Sequence, residues 1–204
     1  MSMLQNTRRP KGFGGRLMVA MMNHGHAPLS RWGLEFLRLQ PEDHILDLGC
    51  GGGANLRRML ARCPKGIIRG LDYSEVSVAA SYRLNRAAIQ AGRCDVLQGD
   101  VSELPFSDES FDAVTAFETI YFWPDLPAAL DQILRVLKPQ GTLLLCNEAD
   151  GKNPKDEKWV RAIEGMTLYS AEDLQTLLRQ AGFVSLHIHT NTKHWLALTA
   201  KKPG

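Results

Sequence analysis

The sequence predicts an α/β fold, in which a doubly wound and mostly parallel sheet of seven strands carries helices on both faces. Apolar runs with strand character alternate with segments of helical periodicity through the middle of the chain. Such alternation is typical of parallel sheets, because each helix returns the chain to the edge where the next strand begins. Two further alternating segments, separated by the polar residues 190–193, predict an antiparallel hairpin at the C-terminal edge.

The predicted elements follow in order from residue 12. Residues 12–39 are irregular and then helical, since Pro28 suits a first helical turn and an apolar face follows it up to Pro41. Ser74 caps a later helix and Gly92 ends it. Predicted strands cover 44–48, 66–72, 95–100, 111–117, 142–148, 184–189 and 194–200, and predicted helices cover 54–62, 74–91, 126–137 and the segment from Ser170 to 181–183.

Composition indicates an ordinary globular chain. Its 204 residues hold 24 Lys and Arg against 22 Asp and Glu, and a net charge of +2 is too small to imply a nucleic-acid partner. No linker or internal repeat divides the sequence, so we predict one domain over 1–204, as a monomer or a homodimer.

The cysteines favour a reducing compartment. Cys50, Cys63, Cys94 and Cys146 show no C-x-x-C spacing and no paired histidine pattern, so we predict free thiols and no metal site. The apolar run 17–22 is shorter than that of a secretion signal, which needs about 7 to 15 such residues. No segment approaches the roughly 18 apolar residues of a membrane span. We therefore expect a cytoplasmic protein without a membrane span.

The stretch ILDLGCGGGAN, residues 45–55, places a glycine-rich loop directly after the first predicted strand. In an open parallel sheet, ligands bind beyond the carboxyl ends of the strands. The pattern Gly49-x-Gly51-x-x-Ala54 fits a dinucleotide fingerprint, whereas Asp47-x-Gly49-x-Gly51-x-Gly53 fits a loop for a cofactor without phosphate. The glycines alone leave both cofactors open.

Acidic residues near three strand ends favour the second cofactor. A carboxylate at Asp47 would repel the pyrophosphate of a dinucleotide, which binds at a helix N-terminus. S-adenosylmethionine carries an ammonium and a sulfonium and no phosphate, so Asp47 would attract it. Asp72 can accept hydrogen bonds from a ribose diol, which both cofactors contain, and Asp100 can accept from an adenine amino group.

Four ordered motifs carry a family resemblance: ILDLGCGGGANL, GLDYSEVSV, LQGDVSELPFSDESFDAVTAFE and LDQILRVLKPQGTLLLCNE. Over residues 42–148 the chain resembles the class I S-adenosylmethionine-dependent methyltransferases, in the style of the small-molecule and quinone-ring enzymes. The resemblance implies a Rossmann-like core over 41–204 and a helical cap, 1–40, that covers the cofactor mouth. It implies S-adenosyl-L-methionine as the cofactor and S-adenosyl-L-homocysteine as its product.

The resemblance also implies the cofactor contacts. The glycine loop would surround the methionine moiety, the end of the second strand would hold the ribose, and the ends of the third and fourth strands would lie beside the adenine and the rest of the cofactor. The implied cofactor-binding residues are Asp47, Gly49, Gly51, Gly53, Asp72, Tyr73, Asp100, Val101, Phe117 and Glu118.

Methyl transfer is an in-line displacement, so such an enzyme mainly aligns the acceptor and excludes water. A general base helps only where the acceptor must lose a proton. We predict His24, Tyr121 and Glu148 as catalytic residues acting on an O, N, S or C atom of a small molecule, with His26 as a second candidate base. A polar turn would equally explain both histidines.

Two other functions stay open at this point. A nicotinamide-dependent oxidoreductase would use the fingerprint that contains Ala54. A non-catalytic subunit would bind S-adenosylmethionine without transferring its methyl group.

Overall fold

The computed structural model describes residues 5–204, and the first four residues of the predicted cap lie outside this range. Its strands form one sheet in the order β3-β2-β1-β4-β5-β7-β6. The strands are β1 (Ile45–Leu48), β2 (Ile68–Asp72), β3 (Cys94–Gln98), β4 (Phe111–Phe117), β5 (Leu137–Asn147), β6 (Val184–Thr190) and β7 (Leu196–Lys201).

The pairing of the strands confirms the predicted sheet. The first five strands pair in parallel, and β7 pairs antiparallel with both β5 and β6. The strand order reverses between β1 and β4, which both run in the same direction. The carboxyl ends of these strands are therefore the expected place for a ligand.

Helices surround the sheet. No helix within residues 5–204 is both long enough and apolar enough to span a bilayer. Short 3-10 turns occupy Leu34–Phe36, Ile120–Phe122 and Pro154–Asp156. The α-helices are α1 (Gln5–Arg8), α2 (Gly12–Gly25), α3 (Ala27–Gly33), α4 (Ala54–Arg62), α5 (Glu75–Leu84), α6 (Arg86–Gln90), α7 (Leu126–Val136), α8 (Glu157–Ala162) and α9 (Ala171–Gln180).

Both faces of the sheet are covered, as predicted. Ile45 of β1 belongs to a buried cluster with Leu56 of α4, and the next residue, Leu46, belongs to another with Leu130 of α7. Neighbouring residues of a strand point to opposite faces. Alternating side chains of β1 therefore contribute to two hydrophobic cores, one on each side of the sheet.

The predicted helix 74–91 is in fact two helices, α5 and α6. The chain leaves the helical conformation at Asn85, whose side-chain amide donates to the carbonyl oxygens of Ser81 at 3.0 Å and Gly53 at 3.1 Å. Asparagine side chains compete in this way with helical hydrogen bonds. The bond to Gly53 ties the helix to the glycine loop, a tertiary contact that helical periodicity does not reveal.

Several other strand boundaries differ from the prediction by a few residues. Strand β5 begins at Leu137, because Leu137 still pairs with Phe111 of β4 ahead of an irregularity in the register. The charged segment after Glu148, for which the sequence predicts no element, contains the short helix α8.

Candidate active site

A cavity of about 300 Å³ opens at the carboxyl ends of the central strands. The glycine loop, the ends of β2, β3 and β4, and helix α2 form its walls. The structure brings eight of the ten predicted cofactor residues to this cavity: Gly49, Gly51, Asp72, Tyr73, Asp100, Val101, Phe117 and Glu118.

The other two predicted cofactor residues, Asp47 and Gly53, lie behind the cavity wall. Asp47 is buried in β1 and accepts a hydrogen bond from the Thr115 hydroxyl at 2.6 Å. Gly53 lies against α5, where an added Cβ would come within 2.3 Å of the Ser81 hydroxyl oxygen. Both residues support the loop from behind, so the structure gives them no surface on the cavity.

The buried carboxyl of Asp47 makes stability depend on pH. Burial raises the pKa of Asp47 from 3.8 to about 7, although the bond from Thr115 opposes part of the rise. Between these values the native protein keeps a proton that the unfolded chain releases. The free energy of unfolding should therefore fall as the pH rises through this window, by up to about 1.4 kcal/mol per pH unit.

Asp47→Asn should remove this contribution. Urea unfolding at pH 5 and pH 7 should show a smaller loss of stability for the variant than for the natural protein. Asp131→Asn, on the exposed face of α7, serves as the control and should keep the full pH dependence. An equal loss in all three proteins would show that Asp47 does not titrate in this range.

Asp72 joins the glycine loop to the end of β2. Its Oδ2 accepts the backbone N–H of Gly51 at 2.8 Å, and its Oδ1 accepts the backbone N–H of Ser74 at 2.9 Å. Burial raises the pKa of the carboxyl, and the two N–H donors oppose that rise. Each carboxylate oxygen can accept a second hydrogen bond. Asp72 can thus hold the loop and a ligand hydroxyl together.

The far end of the cavity holds a second acid and an aromatic ring. Asp100 Oδ1 accepts from the N–H of Ser102 at 2.9 Å and from its hydroxyl at 2.7 Å. These bonds lower the pKa of Asp100, so the carboxylate is ionised. The Tyr73 hydroxyl donates to the backbone oxygen of Arg8, which connects this end to the N-terminal segment.

The N-terminal segment closes one side of the cavity. The Ser74 hydroxyl donates to the carbonyl oxygen of Pro10 at 2.9 Å, and the Asn23 side chain donates to the carbonyl oxygen of Gly52 at 3.3 Å. Met22 of the same helix lines the cavity. These contacts place α2 against the glycine loop.

Of the two neighbouring histidines, His26 reaches the cavity and His24 does not. His24 is exposed on α2, outside both cavities described here, whereas His26 lines each of them. His24 lies in the last turn of α2, whereas His26 lies in the turn between α2 and α3. The catalytic role of His24 stays a prediction, and the structure places His26, the second candidate base, on both cavities.

A second cavity of about 340 Å³ adjoins the first. His26, Glu118 and Phe122 line both cavities, and the predicted catalytic residues Tyr121 and Glu148 line the second. No sequence pattern marks several of its other lining residues, which come from α8, the segments on either side of it, and the C-terminal hairpin: Asp156, Trp159, Ile163, Met166, Lys193 and Trp195.

Glu118 lies at the boundary between the cavities. Its φ of 57° falls in the left-handed region, which residues other than glycine rarely adopt and which is enriched at functional sites. Its Oε1 accepts the Tyr121 hydroxyl at 3.1 Å and the backbone N–H of Glu148. Burial, with a contribution from the Glu148 carboxyl, raises the pKa of Glu118 to about 8. Most of this carboxyl is therefore protonated at pH 7.

Three potential cation ligands converge at this boundary. One imidazole nitrogen of His26 and one carboxylate oxygen each of Glu118 and Glu148 lie within 4.8 Å of one another. No sequence pattern predicts such a cluster, because the three residues come from distant segments. Burial lowers the pKa of His26 although Glu148 opposes the shift, so its imidazole is neutral at pH 7.

Comparison with known proteins distinguishes the cofactors that the glycine loop leaves open. Residues 46–145 match a family described as a methyltransferase domain. The O-methyltransferase resE of Aspergillus sclerotiorum is 34% identical over 144 residues, which cover 69% of this chain and 54% of that protein. The chain belongs to the class I S-adenosylmethionine-dependent methyltransferases. The dinucleotide alternative gains no support from these relatives.

Other known proteins resemble this chain in sequence and in fold. Cycloartenol-C-24-methyltransferase 1 of Oryza sativa subsp. japonica is 39% identical over 103 residues, 50% of this chain and 30% of that protein. The chain thus spans about half or less of the curated relatives it matches.

Solved structures show the same Rossmann-like fold. A SAM-dependent methyltransferase from Aquifex aeolicus superposes with a TM-score of 0.76 at 19% identity, over 92% of this chain and 98% of that one. The [4+2]-cyclase SpnF gives a TM-score of 0.71 at 23% identity, over 86% and 80%. Because a cyclase shares the fold, the fold by itself does not establish the reaction.

The first cavity has the polar groups that S-adenosylmethionine would need. Asp72 would accept the ribose hydroxyls, and Asp100 would accept from the adenine amino group. Arg58, one turn into α4 and unnoticed in the sequence analysis, lines the same cavity and would pair with the carboxylate of the methionine moiety. Gly51 leaves open space where a side chain would project, since an added Cβ would meet no atom within 4 Å.

Gly51→Ala tests whether this open space belongs to the cofactor. Gly51 has a φ of +53°, and Gly92, far along the chain at the end of α6, has a φ of +71° and equally open surroundings. Alanine costs about 1 to 2 kcal/mol of stability at either position because of the left-handed backbone. Only Gly51→Ala should also weaken S-adenosylhomocysteine binding, by about tenfold. The added methyl group would crowd the cofactor, and an extra group in a packed contact typically costs about 1 to 3 kcal/mol. Equal affinities in the two variants, measured by calorimetry, would place the cofactor elsewhere.

Proposed function

We propose that the protein transfers a methyl group from S-adenosylmethionine to a small-molecule acceptor that binds in the second cavity. The observation that carries the proposal is the wall that the two cavities share at His26 and Glu118. A cofactor in the first cavity and an acceptor in the second would meet there. The cofactor supplies a methyl group that its sulfonium already activates, so the protein has to align the acceptor and exclude water.

The residues at the boundary have separate tasks in this proposal. His26, neutral at pH 7, accepts the proton that the acceptor loses. Tyr121 positions Glu118 through its hydroxyl, which also accepts the N–H of Ala149 at 3.3 Å. Glu148 faces the acceptor beside His26.

The names of the relatives support a small-molecule acceptor. One relative is an O-methyltransferase and another methylates C-24 of cycloartenol, so the methylated atom differs among them. A single domain, a monomeric or homodimeric state and a cytoplasmic location complete the proposal. The four cysteines, all free and buried, agree with a reducing compartment.

A transfer assay tests the proposal against a non-catalytic binding subunit. The protein is incubated with S-adenosylmethionine that carries a labelled methyl group and with a broad panel of alcohols, phenols, amines and thiols. We expect label in at least one acceptor and stoichiometric S-adenosylhomocysteine. Normal cofactor affinity with no transfer to any compound would favour the binding subunit instead.

A further inference from the structure

The second cavity contains more acidic than basic groups. Glu118, Glu148 and Asp156 line it, and among the described residues of its wall Lys193 is the one lysine or arginine. The Lys193 ammonium lies 4.7 Å from the ring centre of Trp195. Within the described chain, none of the three carboxyls forms an ion pair with a lysine or an arginine.

Within the described residues, these carboxyls lack the lysine or arginine partners that usually accompany acids drawn together. Asp156 Oδ2 is buried and has no hydrogen-bond partner in the described structure. The pKa values of Glu118 and Asp156 are both raised, first by burial and then by neighbouring carboxyls. A cation bound in the cavity would offset this repulsion.

Aromatic rings line the same space. Tyr121, Phe122, Trp159 and Trp195 all contribute to the cavity wall. Two of these rings already attract ammonium groups of the chain itself, since Lys158 lies 4.9 Å from the ring centre of Trp159 and Lys193 lies over Trp195. Aromatic faces beside carboxylates are the surroundings that organic ammonium ions prefer.

We propose that the methyl acceptor is an organic amine, which enters the second cavity as an ammonium ion and is held by Glu148 and the surrounding aromatic rings. This inference rests on the proposed function and adds the acceptor class to it. The ammonium first loses a proton to His26, and its nitrogen regains a lone pair. That lone pair forms the new N–C bond while the C–S bond of the methyl donor breaks, which leaves neutral S-adenosylhomocysteine and a methylated ammonium.

A divalent metal ion is the other cation that His26, Glu118 and Glu148 could hold. The geometry favours the ammonium for two reasons. Glu118 Oε1 already accepts two hydrogen bonds, from Tyr121 and from Glu148, and an ion at this oxygen would have to compete with them. A metal ion would also make no use of the aromatic walls.

Two probes of equal shape test the charge preference. Choline and 3,3-dimethyl-1-butanol differ only in the quaternary nitrogen, which is carbon in the alcohol. Their affinities are measured by calorimetry on the full chain saturated with S-adenosylhomocysteine, whose own binding is measured first. We expect choline to bind at least about tenfold more tightly than the alcohol. Glu148→Gln should remove most of that preference, whereas Asp131→Asn should retain it.

The outcomes separate this inference from the proposed function. Normal S-adenosylhomocysteine binding with equal affinities for the two probes, or with no binding of either, would overturn the amine assignment and leave the methyltransferase proposal standing. Stoichiometric Mn²⁺ binding that Glu148→Gln abolishes, without a preference for choline, would assign the cluster to a metal instead. Failure to bind S-adenosylhomocysteine would count against the proposed function itself.

Discussion

His26→Gln should lower the rate of methyl transfer by about 100-fold or more, while His24→Gln leaves the rate unchanged. Removal of a general base typically costs a factor of 10² to 10⁴, roughly, in the catalysed step. His26 lines both cavities and lies beside Glu148, whereas His24 is exposed on α2. Glutamine preserves a polar side chain of similar reach but cannot accept the proton at neutral pH.

Initial rates with an acceptor from the labelled screen provide the measurement. Calorimetry with S-adenosylhomocysteine should show little change for either variant. In the natural protein the rate should fall only below pH 6.5, because burial holds the pKa of His26 below that ordinary value. A larger loss for His24→Gln would return the base to the position predicted from the sequence. Parallel losses of rate and cofactor affinity in His26→Gln would show that His26 is a packing residue.

Asp72→Ala should weaken S-adenosylhomocysteine binding by about 1.5 to 3 kcal/mol, which is roughly 10- to 150-fold. This is the range for hydrogen bonds to a charged group, and the ribose diol would lose its acceptor. The substitution also removes the acceptor for the N–H groups of Gly51 and Ser74, so the loop should become less ordered and the protein less stable.

Calorimetry and urea unfolding separate these two effects. Asp72→Asn keeps one oxygen acceptor and should lose less affinity than Asp72→Ala. Asp131→Ala, an exposed acid on α7, should change neither quantity. A drop in stability with unchanged cofactor affinity in Asp72→Ala would contradict the ribose role and leave only the structural one.

The fold is largely predictable because its signals are local. The apolar run that ends at Leu48 and the helical spacing of 54–62 fix neighbouring elements from the residues they contain. Prediction fails where a tertiary contact determines the end of an element. The helix 74–91 breaks at Asn85 because its side chain bonds to Gly53, a residue from another part of the chain.

The cofactor-binding half of the site is also predictable from local sequence, because its residues come directly after the predicted strands. Asp47 shows the limit of that reasoning, because the pleat of β1 turns its carboxyl into the core instead of the cavity. The acceptor half brings together residues from four separate parts of the chain. Trp159 and Trp195 carry no motif, and their proximity depends on the way α8 and the hairpin pack.

The central claim is that the glycine-loop cavity binds S-adenosylmethionine and not a dinucleotide. Titration calorimetry of the full chain with S-adenosylhomocysteine, NADH and NADPH tests it directly. We predict saturable binding of S-adenosylhomocysteine at one site and no binding of either dinucleotide. Tight binding of NADH or NADPH, with none for S-adenosylhomocysteine, would contradict the claim.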